Sequence, residues 1–283
     1  MKLSDKKFRE YFDKKVRSTI RKYKLLTKKD RIVVAVSGGK DSTVCLYLLK
    51  KLGYNIEALT IDPCIKDYSD INIKNLEKFC NKYDIKLNMI SFRQEFGFSI
   101  MEIKKKLKSK GYEYSSCMLC GILRRYLINK YSKGFDYVAT GHNLDDEAQS
   151  FIMNVFRNDI RLAERQGPKP GLFNKGMFVQ RVKPLYMMLE EEVKRYSKSM
   201  KFPVSYGICP VSGGAYRREF TGMLDEFEKK YPSVKYNIIR FQESMSARIK
   251  PIEVEEVNKC ESCGEPASGR ICNTCRILGE LKG

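Results

Sequence analysis

The chain has 283 residues, 42% of them hydrophobic, which is enough for one large core plus a small appendage, and no apolar stretch approaches the length of a membrane span. Lys and Arg number 54 against 34 Asp and Glu, a formal charge of +20 that points to a polyanionic partner, a nucleic acid above all; an acidic membrane is disfavoured because no basic amphipathic stretch carries bulky apolar anchors. Met1 to Lys7 hold no signal-peptide core, so the expectation is a soluble cytoplasmic protein, in which ten cysteines argue for metal ligation or thiol chemistry and against a disulfide framework. Residues 4–26 place Phe8, Phe12, Val16, Ile20 and Tyr23 at helical spacing, with Lys and Arg on the other face. From Arg31 strands and helices alternate: strand 32–36, helix 43–52, strand 56–61, helix 71–83, strand 86–92, helices 100–107 and 121–131, strand 136–140 and helix 147–156. A further strand at 179–185 and a helix at 190–200 follow, then two late helices at 215–231 and 234–247, ending near Pro251. Such alternation implies an α/β fold, a doubly wound parallel sheet with helices on both faces. The divisions read as a basic N-terminal helix (1–28), an α/β domain (29–210), a helical extension (211–252) and a four-cysteine segment (253–283), with the acidic run Glu253 to Glu256 as linker.

Ser37-Gly38-Gly39-Lys40-Asp41-Ser42 lies between the first strand and its helix. Adjacent glycines allow a tight turn whose N–H groups approach an anion, the helix start adds free donors, and Lys40 with the serine hydroxyls completes a phosphate cradle. It is not a Walker loop: Asp41 stands where Ser or Thr is required, and no glycine lies five residues before Lys40. Ligands of parallel sheets collect at the carboxyl ends of the strands, where Thr60-Ile61-Asp62 and Gly141-His142-Asn143 also fall, so the three loops surround one nucleotide. In Ala139-Thr140-Gly141-His142-Asn143-Leu144-Asp145-Asp146-Glu147, Asn143 or Asp145 caps the next helix, and the paired carboxylates suit magnesium on phosphates or orientation of an attacking group.

Cys260-x2-Cys263 and Cys272-x2-Cys275 read as a closed tetrahedral site, with zinc the commonest occupant, standing in for a core that so short a segment cannot build. A second pair, Cys117-Met118-Leu119-Cys120, opens a helix carrying Arg124 and Arg125, and Cys209 occurs downstream in Gly207-Ile208-Cys209-Pro210. By spacing alone this pair is a redox couple, half a zinc site or part of an iron–sulfur cluster. Cys45 and Cys80 lie in helical patterns as small apolar residues. Arg157, Arg161, Arg165 and Lys169, with Arg217 and Arg218, offer phosphate contacts along an RNA path.

The cradle resembles the pyrophosphate loop of the PP-loop (adenine nucleotide alpha hydrolase-like) family. The CxxC pair with a distant cysteine before proline, together with the Ala139 to Glu147 stretch, is similar to the TtcA/TtuA group of tRNA 2-thiolation enzymes over nearly the whole chain. The resemblance implies an ATP site at Ala35, Val36, Ser37, Gly38, Gly39, Lys40, Asp41, Ser42, Thr60, Asp62, Arg124, Gly141, Asp145 and Asp146, with magnesium. It implies a 4Fe-4S cluster on three protein ligands, Cys117, Cys120 and Cys209, and an older scheme gives these cysteines persulfide and disulfide roles. Cys117, Cys120, Cys209, Lys40, Asp41 and Asp145 are the implied catalytic set, Asp145 being preferred over Asp146. The implied activity is an ATP-dependent tRNA 2-thiouridine synthetase that adenylates the uridine C2 oxygen, releases pyrophosphate and replaces that oxygen by sulfur. Its sulfur donor is free sulfide or a ubiquitin-like thiocarboxylate protein, and a homodimer is left open. The rivals are a nitrogen-transferring PP-loop enzyme, such as a lysidine synthetase or an ammonia ligase, and a non-catalytic tRNA-binding zinc protein. TtuA-type members usually begin with a cysteine-rich zinc module, which is not found ahead of Phe8, whereas TtcA-type members lack the C-terminal four cysteines.

Overall fold

The run Ile32-Val33-Val34-Ala35-Val36 has no polar side chain, as suits a strand buried on both faces, and it lies in the middle of a five-stranded sheet. The computed structural model describes residues 3–171, 177–212, 216–248 and 257–282; Pro251, the acidic run at Glu253 to Glu256, the expected helix start at Ala215 and the Arg218 side chain lie outside what is described. The elements run α1 (Asp5–Lys22), β1 (Arg31–Val36), α2 (Lys40–Lys51), β2 (Asn55–Asp62), α3 (Tyr68–Lys82), β3 (Leu87–Ser91), α4 (Phe92–Phe96), α5 (Ile100–Ser109), α6 (Ser116–Tyr131) and β4 (Tyr137–Thr140). There follow α7 (Leu144–Phe156), α8 (Ile160–Glu164), β5 (Gln180–Val182), α9 (Glu190–Ser199), α10 (Arg217–Lys230), α11 (Val234–Ser246), the pair β6 (Asn258–Lys259) and β7 (Pro266–Ala267), and α12 (Asn273–Lys282). Strand order is β3-β2-β1-β4-β5 with every pairing parallel, so the chain winds outward from β1 to β3 and returns to β4, leaving a switch point between β1 and β4.

Alternation along β1 sorts the two cores. Ile32, Val34 and Val36 join Phe12 and Val16 of α1, Leu46 and Leu49 of α2, Phe79 of α3 and Tyr196 of α9. Val33 joins Leu59 and Ile61 of β2, Val138 of β4, Leu119, Leu123 and Leu127 of α6, Ile103 of α5 and Ile277 of α12. The basic N-terminal helix is thus built into the first core. A third cluster seats the helical extension, with Leu224 of α10 and Ile239 of α11 on Leu144 and Ala148 of α7. No helix among the described residues is long and apolar enough to cross a membrane.

Several boundaries differ from the expected ones for local reasons. α1 stops at Lys22, short of 26, because Lys24 takes φ 47° and Leu25 N–H donates to the Ile20 carbonyl, a Schellman closure. β3 ends at Ser91, which caps α4 through a reciprocal bond with Gln94. α2 begins at Lys40, three residues before the expected start, and α6 at Ser116, since the Ser115 hydroxyl accepts from Met118 N–H at 3.2 Å. β5 spans only three residues against the expected run at 179–185.

Candidate active site

The cradle forms where β1 hands over to α2. Gly38 takes φ +77°, and a Cβ there would meet Asn72 of α3 at 2.8 Å, so both conformation and space require glycine. At the end of β4, a Cβ on Gly141 would meet Ser42 N at 2.6 Å; its absence lets the β4 loop press against the start of α2. Ser37 N–H donates to Ser42 Oγ at 3.1 Å, and that hydroxyl donates to the Gly39 carbonyl at 3.2 Å, fixing the turn. Beside it opens a cleft of about 330 Å³, walled by Ala35, Val36, Ser37, Gly39, Asp41 and Ser42, by Thr140, Gly141 and His142 of the β4 loop, and by Arg124 of α6 and Asp146 of α7.

The polar groups are held in a network. Lys40 Nζ donates to Asp41 Oδ2 at 2.9 Å and to Glu190 Oε1 at 2.7 Å; burial works against its charge, but the two carboxylates outweigh that and raise its pKa. Asp41 Oδ1 accepts from Asn143 Nδ2 at 3.1 Å. Burial raises the Asp41 and Asp146 carboxyls above the usual range, opposed by Lys40 at the first and Arg217 at the second. Desolvation within the cleft, followed by the Lys183 charge, lowers His142 to about 4, so the imidazole is neutral near pH 7. Arg124 Nε is buried with no hydrogen-bond partner among the described residues, an orphan donor on the cleft wall.

Some expected residues lie elsewhere. Asp145 does not line the cleft: Lys235 of α11 ion-pairs with its Oδ1, and Glu190 N–H donates to its Oδ2 at 2.7 Å. Asp146, one residue on, caps α7 reciprocally with Asn143 and faces the cleft. The pleat of β2 turns Leu59 and Ile61 to the cleft in place of Thr60, which is buried, and Asp62, which accepts from Cys64 N–H at 2.7 Å. Asn143 caps α7, as its place before the helix implies. Glu190, Lys235, Asn72 and Tyr68 carry no signal in the sequence, because they act only through contacts across the fold.

Of the expected cysteine trio, Cys120 and Cys209 lie near Arg124, which is on the cleft wall. The backbones of Gly39 and Ser205 form a parallel bridge, which brings the segment holding Cys209 against the cradle. Cys117 and Cys120 lie in the first turns of α6, three residues apart and so on one side of it. The Cys120 thiol is pushed up by burial and pulled down by Arg124, with Cys209 and Cys117 as its next electrostatic neighbours; Tyr68 is influenced by Cys209, Arg124 and Cys120 alike. Among the described residues, only Cys260, Cys263, Cys272 and Cys275 bring four candidate ligand atoms within 4.8 Å of one another, single-ion spacing. Burial opposes ionisation of Cys260, but N–H groups of Cys272, Ser262 and Cys263 outweigh it and bring its pKa to about 6. This segment docks on the far end of α6, where Glu265 pairs with Lys133 and accepts from Asn129 at 2.9 Å. Of the basic path, Arg157 stacks over Tyr216 at 4.7 Å, Lys169 lies 5.7 Å from the Tyr137 ring and Arg217 is held by Asp146 and Ser150.

Residues 8–204 match the PP-loop domain family. The tRNA-5-methyluridine(54) 2-sulfurtransferase of Pyrococcus horikoshii is 39% identical over 285 residues, 100% of this chain and 89% of that protein. The tRNA 2-thiolation protein NcsA of Haloferax volcanii is 30% identical over 99% of this chain and 93% of its own. The solved U34-tRNA thiolase NcsA from Methanococcus maripaludis, with its 4Fe-4S cluster, superposes with a TM-score of 0.80 at 28% identity, over 99% of this chain and 89% of that one.

Proposed function

The chain belongs to the PP-loop family of tRNA 2-thiolation enzymes, and from that premise we propose that it is an ATP-dependent tRNA 2-thiouridine synthetase. The observation that carries the reading is the convergence of Cys120, Cys209 and Arg124 on one neighbourhood next to the glycine turn. ATP enters the cleft with its phosphates on the N–H groups from Gly38 to Ser42, and Arg124 Nε supplies a donor that has no other partner among the described residues. Lys40 exchanges the Glu190 carboxylate for a phosphate oxygen, which places its charge where negative charge grows. The uridine C2 oxygen attacks the α phosphate, the bond to the β phosphate breaks and pyrophosphate leaves; sulfur then adds at C2 and AMP departs with the former oxygen.

Asp41 and Asp146, on facing parts of the cleft wall, form a carboxylate pair suited to magnesium, while Asp145 acts as a positioning residue behind Glu190. Cys117, Cys120 and Cys209 are the thiolates that would hold a 4Fe-4S cluster, Cys120 having both Cys209 and Cys117 among its electrostatic neighbours; when bound, it would present sulfur next to the activated base. The C-terminal four cysteines fit structural zinc. Free sulfide or a ubiquitin-like thiocarboxylate supplies the sulfur, in the cytoplasm, where such thiols stay reduced. The test is pyrophosphate release from ATP with and without bulk tRNA. Release should be stimulated by tRNA and fall at least about 100-fold in Lys40→Ala with tRNA binding retained; an equally active Lys40→Ala protein contradicts the proposal.

A further inference from the structure

Between α6, the edge strand β5 and the four-cysteine segment lies a second cavity of about 400 Å³, distinct from the ATP cleft. Arg125 of α6, Arg165 after α8 and Arg181 of β5 all line it. Several arginines elsewhere are paired with carboxylates, Arg217 with Asp146, Arg93 with Glu102 and Arg270 with Glu261. Among the described residues these three have no carboxylate partner, and the carboxylate on the same wall, Glu265, is already taken by Lys133 and Asn129. Arg181 is half-buried, and burial followed by the Arg125 charge lowers its pKa. Like charges drawn together at the edge of the protein repel, whereas an anion between the guanidinium forks turns that repulsion into paired hydrogen bonds. The zinc-type thiolates do not supply that anion, for Cys260 and Cys272 sulfurs are met by backbone N–H groups at 3.3 and 3.4 Å.

The cavity also adjoins the chemistry. Arg124 and Arg125 are neighbours on α6, the first on the ATP cleft and the second here, and Arg181 acts electrostatically on His142 inside the cleft. Phe178, 41% exposed at the rim, offers a face on which a base can stack. We infer that this cavity binds a phosphate group, and that the group is a backbone phosphodiester of the tRNA whose uridine occupies the cleft. The inference rests on the tRNA reading above and adds the place where docking of the cysteine segment and grip on the RNA are joined.

Arginine modification with phenylglyoxal, mapped by mass spectrometry on the full chain, tests it in three arms: protein alone, with bulk tRNA and with inorganic pyrophosphate. Arg125 and Arg181 should label in the free protein and severalfold more slowly with tRNA, pyrophosphate protecting them less. Equal labelling in all arms overturns the site, and pyrophosphate protection matching that of tRNA assigns it to a free phosphate and overturns the RNA source. Binding of tRNA is measured in parallel. Bound tRNA with both arginines unprotected sinks this inference alone; no bound tRNA sinks the functional reading, and the pyrophosphate arm still decides whether the cavity takes phosphate. In an Arg125→Gln, Arg181→Gln variant with unchanged zinc content and unfolding midpoint, the slope of log affinity for tRNA against log salt should shrink by about 1, and an unchanged slope counts against the site.

Discussion

Asp145 and Asp146 are consecutive carboxylates with opposite duties. Asp146 stands on the cleft wall with Asp41, while Asp145 lies between Lys235 and the Glu190 N–H. Asp146→Asn should therefore lower tRNA-stimulated pyrophosphate release by about 100-fold or more while leaving the unfolding midpoint near wild type. Asp145→Asn should instead cost about 1–3 kcal/mol in urea unfolding, because it removes one of the two carboxylates that pair with the buried Lys235 ammonium. The reverse pattern, a stable but inactive Asp145→Asn and a destabilised Asp146→Asn, would exchange the two roles. The sequence marks both acids at the rim but not their assignment. Neighbours on a helix differ by about 100° in direction, and which of them meets the cleft depends on where α9 and α11 pack. Gly38 and Gly141 were legible because a glycine turn between a strand and a helix is a local pattern, and the crowding by Asn72 and Ser42 supplies the reason.

At the scale of elements, α6 links three sites: the cysteine pair at its first turns, Arg124 and Arg125 in its middle, and Tyr126, Asn129 and Lys133 near its end against the four-cysteine segment. Its apolar side is legible as the 119, 123, 127 spacing, and Leu119, Leu123 and Leu127 are all fully buried. The cysteine pair marks its start, at Ser116, better than the apolar spacing from 121 does, and the Ser115 cap carries no Glu or Gln three residues on to reinforce it. β2 was recognised as a strand but its phase was not, since Leu59-Thr60-Ile61 suits either face and only pairing with β1 and β3 decides it. Because α12 packs on α5 and α6 and holds Ile277 in the second core, stripping metal from the four-cysteine site proposed for zinc should loosen that layer first. Hydrogen exchange after chelation should show α12 and the second half of α6 losing protection while β1 and α2 keep theirs. Loss of protection throughout the sheet would contradict a local structural role.

Across the whole molecule, function depends on contacts that no local pattern encodes. Lys40 meets Glu190 across 150 residues, Asp145 meets Lys235 across 90, and the Gly39 to Ser205 bridge sets the segment that leads to Cys209 against the cradle. Lys235 in turn pairs with Asp225 at 2.5 Å, so the helical extension braces the active-site network through Asp145 and Glu190. The parallel α/β order was legible because alternation and right-handed crossovers leave few topologies; the helical spacing of Phe8, Phe12, Val16 and Ile20 likewise marked the face that α1 packs into the core it shares with α2 and α9. The central claim is that three distant cysteines serve one uridine activated in the adjoining cleft. It is tested most directly by mass spectrometry of nucleosides from bulk tRNA incubated anaerobically with the iron-loaded protein, ATP and sulfide. The expected result is a 2-thiouridine product that requires ATP and disappears in Cys209→Ser while tRNA-stimulated pyrophosphate release persists; undiminished thiolation by Cys209→Ser would contradict the account.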